Sequence, residues 1–363
     1  MTTMSTAPLQ APPRHAEPSA REVAELAGVS LSTVSRVFRD SPLVNAETSR
    51  RVREAAAEIG YSPSNFARSL RTGVSSTVGF LLRRPTGLLG EFHAKAFGAI
   101  QERIAQMQLN PLVAAIPAGT RPMELARQML AREALCGLIV QGDNLGPGAV
   151  EELAEFPRPA VVLNYSEPLP ADCHLAAAGF DNGGGIEQAV RHLVALGHER
   201  IAFISGNPGN NDARLREEGF RAALGKVGLE HLPEFIRFGD FGRLHGGFQS
   251  GAAQMEFLLS LRPKPTAVLA ASDEIAVGAI DTAWRCGLRV PDDVSVVGYD
   301  NHSWSPYVRP SLTTIEHDGW RLGEAAADLL LGLLQEKRLK SRQVLLCSQL
   351  VVRQSTGLPR AGA

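Results

Sequence analysis

The stretch REVAELAGVSLSTVSRVF, residues 21–38, decides the fold of the N-terminal part of the chain. Ser19 and Glu22 have the spacing of a helix capping box, and Gly28 is a typical residue at a helix end. The apolar stripe expected to face a core in this first helix consists of Val23, Ala24, Leu26 and Ala27. Ser30 then stands where a second helix would begin, so the stretch predicts two short helices joined by a tight turn.

Two further helix starts follow from the same rules. Ser30 is predicted to cap the second helix, and Asn45 is predicted to cap a third. The apolar faces expected for these two helices are Val34, Val37 and Phe38 in the second, and Val52, Ala55, Ala56 and Ile59 in the third. Three short and closely linked helices are typical of a helix-turn-helix DNA-binding head.

The second helix has a polar and partly basic face opposite its apolar residues. Arginine can form bidentate hydrogen bonds with guanine, and an apolar side chain can cover a thymine methyl group, which suits Arg36 and Leu31. Thr33 and Ser35 are expected to contact phosphates. The residues predicted to bind DNA on this face are Leu31, Ser32, Thr33, Ser35 and Arg36. Packing of Leu31 inside the protein and a solvated charge at Arg36 are the open alternatives.

Composition narrows the class of protein. The chain has 363 residues, 44% hydrophobic and 21% charged, with a net charge of −1, as expected for a globular protein of two or three domains. Residues 1–18 have no secretion signal and are expected to form a disordered leader, and no apolar run is long enough for a transmembrane helix, so we expect a cytoplasmic protein. The four cysteines are widely separated and lack zinc-site spacing, so no metal or other cofactor is expected.

From residue 77 onward, short apolar runs alternate with segments of helix length. A first series of expected strands comprises residues 77–82, 112–116, 137–140 and 160–165. A second series comprises residues 176–180, 200–206, 235–240, 266–272 and 294–300. Apolar strands that alternate with helices predict parallel sheets covered on both faces. The two series therefore predict two α/β lobes with a cleft between them.

Several motifs closely resemble the LacI/GalR family of bacterial regulators. They include residues 21–38, ARSLRTG at 67–73, FDNGGG at 180–185, ASDEIAVGA at 271–279 and GLRVPDDVSVVGYD at 287–300. The resemblance covers residues 19–358. It implies an all-α helix-turn-helix head with a hinge helix, followed by a two-lobed α/β sensor like the periplasmic binding proteins, with parallel sheets.

The segment after the head is expected to act as the hinge. Pro63 suits the first turn of a helix, which predicts a short helix over residues 63–71. The resemblance implies that this helix forms on the operator in a dimer and inserts Leu70 into the minor groove, where an apolar wedge kinks DNA. Arg68 and Arg71 would lie beside phosphates or in the narrow groove. Packing of Leu70 against the sensor is the alternative.

Ligands of open α/β sheets bind beyond the carboxyl ends of the strands. The residues at such positions that match the family's effector contacts are Gln141, Asn164, Arg216, Phe241, Ser272, Asp273 and Asp300. Acids, amides, one arginine and one ring suit a hydroxyl-rich ligand, so a sugar, a polyol or a sugar acid is expected. Residues 83–92 depart from the family pattern, and Arg83 or Arg84 would favour an anion. Helix capping by Asp273 and Asp300 and a surface ion pair of Arg216 remain open alternatives.

The chain is therefore expected to be a transcription regulator, most simply a repressor, that binds a palindromic DNA operator as a homodimer under the control of a small molecule. The expected segments are the leader 1–18, the head 19–61, the hinge 62–75 and the sensor 76–358, with an N-lobe of 76–176 plus 315–346 and a C-lobe of 177–314 plus 347–358. Glycines 183–185 read as a helix start because the lysine of a phosphate-binding loop is missing, and no nucleophile elbow is present, so no catalysis is expected. The alternatives are control by a protein partner or a nucleobase, and a solute-binding protein.

Overall fold

The computed structural model divides the chain into two compact units, Met1–Ser75 and Ser76–Ala363. The residues that the structure describes are 18–38, 41–61, 75–83, 90–117, 119–142, 145–171, 173–240 and 246–360. The predictions for the leader and for the hinge helix lie outside the described residues. The predicted site residues that also lie outside them are Arg68, Leu70, Arg71, Arg84 and Phe241, together with the side chain of Arg83.

The N-terminal unit contains the three predicted helices. Their bounds are Ala20–Ala27 for α1, Leu31–Val37 for α2 and Ala46–Glu58 for α3. All three predicted caps are confirmed: Ser19 and Glu22 form a capping box, Ser30 Oγ accepts from the Thr33 amide at 3.2 Å, and Asn45 Oδ1 accepts from the next helix at 2.8 Å. Gly28 ends α1 with φ 62°, a left-handed conformation that favours glycine.

A small core holds these helices together. Its fully buried members are Val23, Ala24, Ala27, Val34, Val37, Val52, Ala55 and Ala56. Phe38 and Ile59 are partly buried against it, and the ring of Phe38 meets Tyr61 edge-on at 5.8 Å. The prediction for Leu26 was wrong, because its side chain is 49% exposed. Val23 and Ala27 lie one turn apart and define the buried face, and Leu26 points about 100° away from Ala27 around the helix.

The second unit contains two six-stranded sheets. The first has the order β11-β5-β4-β3-β1-β2 and comprises Thr77–Arg83 (β1), Asn110–Ile116 (β2), Leu135–Gln141 (β3), Ala160–Leu163 (β4), Leu175–Phe180 (β5) and Gln343–Leu346 (β11). The second has the order β12-β10-β9-β8-β6-β7 and comprises Ile201–Ser205 (β6), Ile236–Phe238 (β7), Ala267–Ala270 (β8), Ser295–Asp300 (β9), Thr313–Glu316 (β10) and Gln349–Val351 (β12). Every strand pair is parallel except β10 with β12, which is antiparallel.

Helices cover both faces of each sheet. Those of the N-lobe are Glu91–Ala105 (α4), Pro122–Arg132 (α5), Ala149–Ala154 (α6) and Gly319–Leu334 (α11). Those of the C-lobe are Asn182–Ala195 (α7), Asn211–Lys226 (α8), Gly246–Ser260 (α9) and Asp273–Arg285 (α10). Neighbouring residues of β1 show the sandwich directly, because Leu81 joins one apolar cluster while Phe80 and Leu82 join the other. Within the described parts of the chain, no helix has the length and apolarity that a bilayer crossing needs.

The chain crosses between the lobes three times, and this corrects the predicted lobe boundaries. The crossings lie between β5 and α7, between β10 and α11, and between β11 and β12. The predicted boundary at residues 176/177 falls inside β5, which pairs with β4 and so belongs to the N-lobe. The predicted boundary at 314/315 falls inside β10, which pairs with β9 in the C-lobe. The alternation of strands and helices continues through each crossing, so it carries no sign of the change of sheet.

Candidate DNA-binding surface and effector cleft

The polar face of α2 is accessible in the N-terminal unit. Leu31 is 55% exposed, and Ser32 and Arg36 are exposed, while Val34 and Val37 on the other side of the helix are buried. This division follows from the periodicity of the helix, since residues three and four apart share a face. The predicted reading face is therefore presented to solvent, and an exposed leucine at the start of a helix is free to meet an apolar surface of a partner.

Hydroxyl groups cluster at the start of α2. Ser30 Oγ lies 2.7 Å from Ser32 Oγ and 2.9 Å from Thr33 Oγ1, next to the backbone amides of the first turn. Helix N-termini and hydroxyl groups are common phosphate contacts. Ser35 is half-buried at mid-helix. A shallow depression beside this cluster is lined by Val29, Ser30, Thr33, Arg36, Leu43, Val44, Asn45 and Thr48.

A continuous chain of buried hydrogen bonds connects the two lobes of the sensor. Asn164, which follows β4 in the N-lobe, donates through Nδ2 to Asp212 Oδ2 at 2.7 Å. Asp212 lies in the first turn of α8 and accepts at its other oxygen from Asn182 Nδ2 at 3.1 Å. Asn182 begins α7 directly after the first crossing and accepts through Oδ1 from Arg216 Nε at 2.9 Å. The chain therefore joins the end of an N-lobe strand to two helices of the C-lobe.

Arg216 continues the chain towards the second crossing. Its Nη1 donates to the Ala271 carbonyl at 2.6 Å, and its Nη2 lies 3.2 Å from His317 Nδ1. The guanidinium also lies 3.7 Å from the centroid of the Tyr299 ring and 3.6 Å from Asp300 Oδ1. Arg216 is only 4% exposed, so the alternative of a surface ion pair is excluded. Burial raises the pKa of Asp300, but its contacts with His317 and Arg216 outweigh burial and lower that pKa.

Aromatic rings enclose His317. Its imidazole stacks on Phe92 of α4 with a centroid distance of 4.9 Å and an angle of 15°. Phe180 and Tyr299 meet the same ring edge-on, at 3.6 and 5.3 Å. Burial lowers the pKa of His317. The neutral imidazole is therefore the favoured form inside this apolar surrounding.

Ser272 and Asp273 are engaged within the protein. Ser272 Oγ caps α10 by accepting from the Ile275 amide at 3.2 Å. Asp273 is fully buried, and its carboxylate accepts from the His302 amide at 2.9 Å and from the hydroxyls of Ser305 and Thr314, each at 2.5 Å. Burial and the neighbouring Asp300 raise the pKa of Asp273 to about 6. These contacts tie the start of α10 to the loop after β9 and to β10.

Polar contacts also join the two lobes beside the buried chain. Glu91, in the first turn of α4, accepts at Oε2 from the Ser303 amide at 3.1 Å and from the Ser303 hydroxyl at 3.0 Å. Burial raises the pKa of Glu91, but hydrogen bonds from Lys95 and Ser303 outweigh it and lower that pKa to about 2. Glu167 of the N-lobe contacts Asn211 and Arg214 of α8. In the N-lobe wall, Gln141 Nε2 lies 2.8 Å from His93 Nε2.

The structure brings most of the predicted effector residues together around this chain and adds others. Asn164, Arg216, Asp273 and Asp300 are linked through the contacts above, and Gln141 lies at the end of β3. The residues that the sequence prediction missed are Phe92, His93, Asn182, Asp212, His302 and His317. A signal for two of them existed: Asn182 and His317 both follow the ends of strands, in FDN and EHD, but β10 was not predicted.

Comparison with known proteins places the chain in a family. The family model described as bacterial regulatory proteins, lacI family, matches residues 20–64, and the periplasmic binding protein-like domain matches residues 190–356. The repressor PurR of Mannheimia succiniciproducens is 31% identical over 335 residues, which cover 92% of this chain and 97% of the relative. The chain belongs to the lacI family. The ribose operon repressor of Escherichia coli is 30% identical over 336 residues, covering 92% of this chain and 98% of that protein.

A solved structure extends the likeness to the whole lacI-family architecture. The Lac repressor dimer bound to operator and the anti-inducer ONPF matches with a TM-score of 0.83 and 32% identity, over 94% of this chain and 99% of that one. These relatives are transcriptional repressors and not enzymes. The predicted family and fold class are confirmed. This lacI-family protein is accordingly a DNA-binding transcriptional repressor controlled by an effector.

Proposed function

We propose that this repressor acts as a homodimer on a palindromic operator in the bacterial cytoplasm, and that a small hydroxylated molecule in the sensor cleft controls its grip. The sugar, polyol and sugar acid classes predicted from the sequence are the candidates. The observation that carries the proposal is the buried chain from Asn164 through Arg216 to His317, because it joins both lobes and two of the three crossings. A ligand at such a chain contacts both lobes at once.

The DNA contacts are assigned to two segments. On α2, Arg36 reads a guanine and Leu31 covers a thymine methyl, while Ser32, Thr33 and Ser35 contact phosphates. Their exposed or half-buried positions support this assignment. In the hinge, Leu70 is the minor-groove wedge, and Arg68 and Arg71 lie beside the backbone of the DNA.

The effector contacts are narrower than the sequence predicted. Ser272 and Asp273 have their side-chain oxygens engaged within the protein, so we assign them to holding α10 in place. The direct contacts that we propose are Gln141, Asn164, Phe241 and Asp300. Of these, Asp300 is partly exposed, and Asn164 has a buried oxygen without a partner among the described residues. Arg216 orients other groups, because its guanidinium already donates to three of them.

Control of DNA binding follows from a difference in affinity. A ligand shifts the balance between two sensor conformations only by binding one of them more tightly, and such coupling is commonly worth about 1–3 kcal/mol. In a dimer, a movement of the lobes changes the separation of the two hinges and so changes how well both heads fit the operator. The relatives support this arrangement, since one is a ribose operon repressor and another is a Lac repressor dimer bound to operator and an anti-inducer.

The test uses the purified full chain and the DNA that flanks its own gene. Footprinting should reveal one protected palindrome, and protection should change when one compound from a panel of sugars, polyols and sugar acids is added. A protein that protects no sequence in preference to random fragments contradicts DNA recognition. Protection that no compound in the panel alters, in a sample to which compounds of the panel bind, contradicts effector control.

A further inference from the structure

His317 is a buried polar side chain with one ring nitrogen that has no hydrogen-bond partner among the residues that the structure describes. The residue is 3% exposed, and the nitrogen concerned is Nε2. It belongs to the segment between β10 and α11, one of the three crossings between the lobes. Buried polar groups are nearly always hydrogen-bonded in native proteins, so an exception calls for an explanation.

The contact with Arg216 fixes the protonation pattern of this imidazole. Nδ1 of His317 lies 3.2 Å from Nη2 of Arg216. A guanidinium can only donate hydrogen bonds, so Nδ1 must be the acceptor. The proton of a neutral imidazole then resides on Nε2, which is the nitrogen without a partner. His317 therefore presents an N–H donor that needs an acceptor.

The other end of the buried chain presents the complementary group. Asn164 is 3% exposed, and its Oδ1 has no hydrogen-bond partner within the described parts of the chain. Its Nδ2 donates to Asp212 at 2.7 Å, which identifies the unpartnered atom as the amide oxygen, an acceptor. A molecule that satisfies both ends must offer an acceptor to His317 and a donor to Asn164. Hydroxyl groups offer both.

Charge excludes an acidic ligand at this chain. The described carboxylates next to it are Asp212, Asp273 and Asp300, and Arg216 is the cation among them. Arg216 already donates to Asn182, to the Ala271 carbonyl and to His317. An added carboxylate would face three like charges without a cation of its own. The neighbouring ring of Phe92 suits the apolar face of a sugar or polyol.

We propose that His317 is a specificity-determining residue whose Nε2–H donates to an oxygen of a neutral polyhydroxylated effector, and that Arg216 is the positioning residue that sets this tautomer. The inference rests on the proposed control by an effector and deepens it. It selects neutral sugars and polyols from the wider class and excludes sugar acids. It also assigns Arg216 an indirect role.

The first test needs no ligand. Long-range nitrogen–proton correlation spectra of the full chain, carrying nitrogen-15 in its histidines, distinguish the two neutral tautomers and the cation. His317→Gln serves to assign the signal. At pH 7 the expected result is a neutral imidazole with its proton on Nε2. A proton on Nδ1, or a charged ring, overturns the proposal.

The second test measures binding by calorimetry with a panel of neutral aldoses and alditols, the matching aldonic acids and the purine bases. The expected result is binding of a neutral aldose or alditol. His317→Leu should weaken it about tenfold, the usual effect of losing one buried hydrogen bond, while His317→Gln should keep most of the affinity because its amide also donates. Tighter binding of an acid or a purine base, or equal affinity of the leucine variant and the wild type, overturns the inference.

The two levels of the proposal fail in different ways. If no compound changes operator binding although compounds bind, effector control is wrong. If a compound does change operator binding but its affinity does not depend on the donor at residue 317, only the inference about His317 is wrong. The spectra of the unmodified protein decide the tautomer even if His317→Leu does not fold.

Discussion

Nη2 of Arg216 lies 3.2 Å from Nδ1 of His317, and this contact joins α8 of the C-lobe to the segment through which the chain returns to the N-lobe. Arg216 also lies 3.6 Å from Asp300 Oδ1 and is 4% exposed. A buried cation that touches a second crossing and a buried carboxylate is a structural centre of the sensor. Its loss should affect stability as well as function.

Replacing Arg216 by methionine should destabilise the sensor by about 3–5 kcal/mol, because removing one partner of a buried ion pair leaves the other charge uncompensated. Denaturant unfolding of the full chain measures the change. Arg191→Met is the matched control, since Arg191 forms an exposed pair with Glu187 on α7 and its loss should cost less than about 1 kcal/mol. Equal losses in the two variants would show that the buried contacts of Arg216 are not special.

Asp273 should make the sensor less stable as pH rises. Its folded-state pKa of about 6 lies above the ordinary value of 3.8, so the folded protein binds more protons between these values and its stability falls as pH rises through that window. The contribution amounts to at most about 3 kcal/mol. Unfolding free energies at pH 4.5 and pH 7 should therefore fall further in the wild type than in Asp273→Asn. Identical pH dependence of the two proteins would refute the raised pKa.

Ser30→Ala should destabilise the start of α2 by about 1 kcal/mol, because the Oγ that accepts from the Thr33 amide is lost. The helix has only seven residues, so it depends strongly on its cap. Amide hydrogen exchange across residues 31–37 measures the change. Ser30→Asp supplies another capping oxygen and should restore protection. Unchanged exchange in the alanine variant would mean that the cap contributes nothing.

Arg36→Ala should reduce discrimination between the operator and mismatched duplexes by about 1–3 kcal/mol, as expected when a bidentate base contact is lost. Arg50→Ala removes the same charge from the same unit, but Arg50 pairs with Glu47 at 2.7 Å and Glu54 at 2.9 Å on α3. It should leave discrimination intact. Competition binding with matched and mismatched duplexes separates the two, and equal discrimination by both variants would remove Arg36 from the reading face.

Local features of the fold were predictable from the sequence. The caps at Ser19, Ser30 and Asn45 involve residues three positions apart, so the pattern of side chains contains the whole interaction. The strands that were predicted are apolar runs buried on both faces, which leave a strong signal. Leu26 failed because a stripe in an eight-residue helix is too short to define its edge.

Long-range features were not predictable in the same way. The lobe boundaries depend on which strand pairs with which, and β5 carries no local mark that it pairs with β4 instead of beginning the second sheet. The role of His317 depends on contacts with Arg216, 101 positions earlier, and with Phe92 of the other lobe. The polar residues at strand ends were found by a general rule, but that rule could not show which of them are satisfied within the protein.

The most direct test of the account compares two dissociation constants for labelled operator, measured by fluorescence anisotropy with and without a saturating compound that calorimetry has shown to bind the sensor. The account predicts that the two constants differ by a factor of about 5 to 150, the usual range of coupling between sites. Equal constants for every compound that binds would contradict it, since occupation of the cleft would then leave the grip on DNA unchanged.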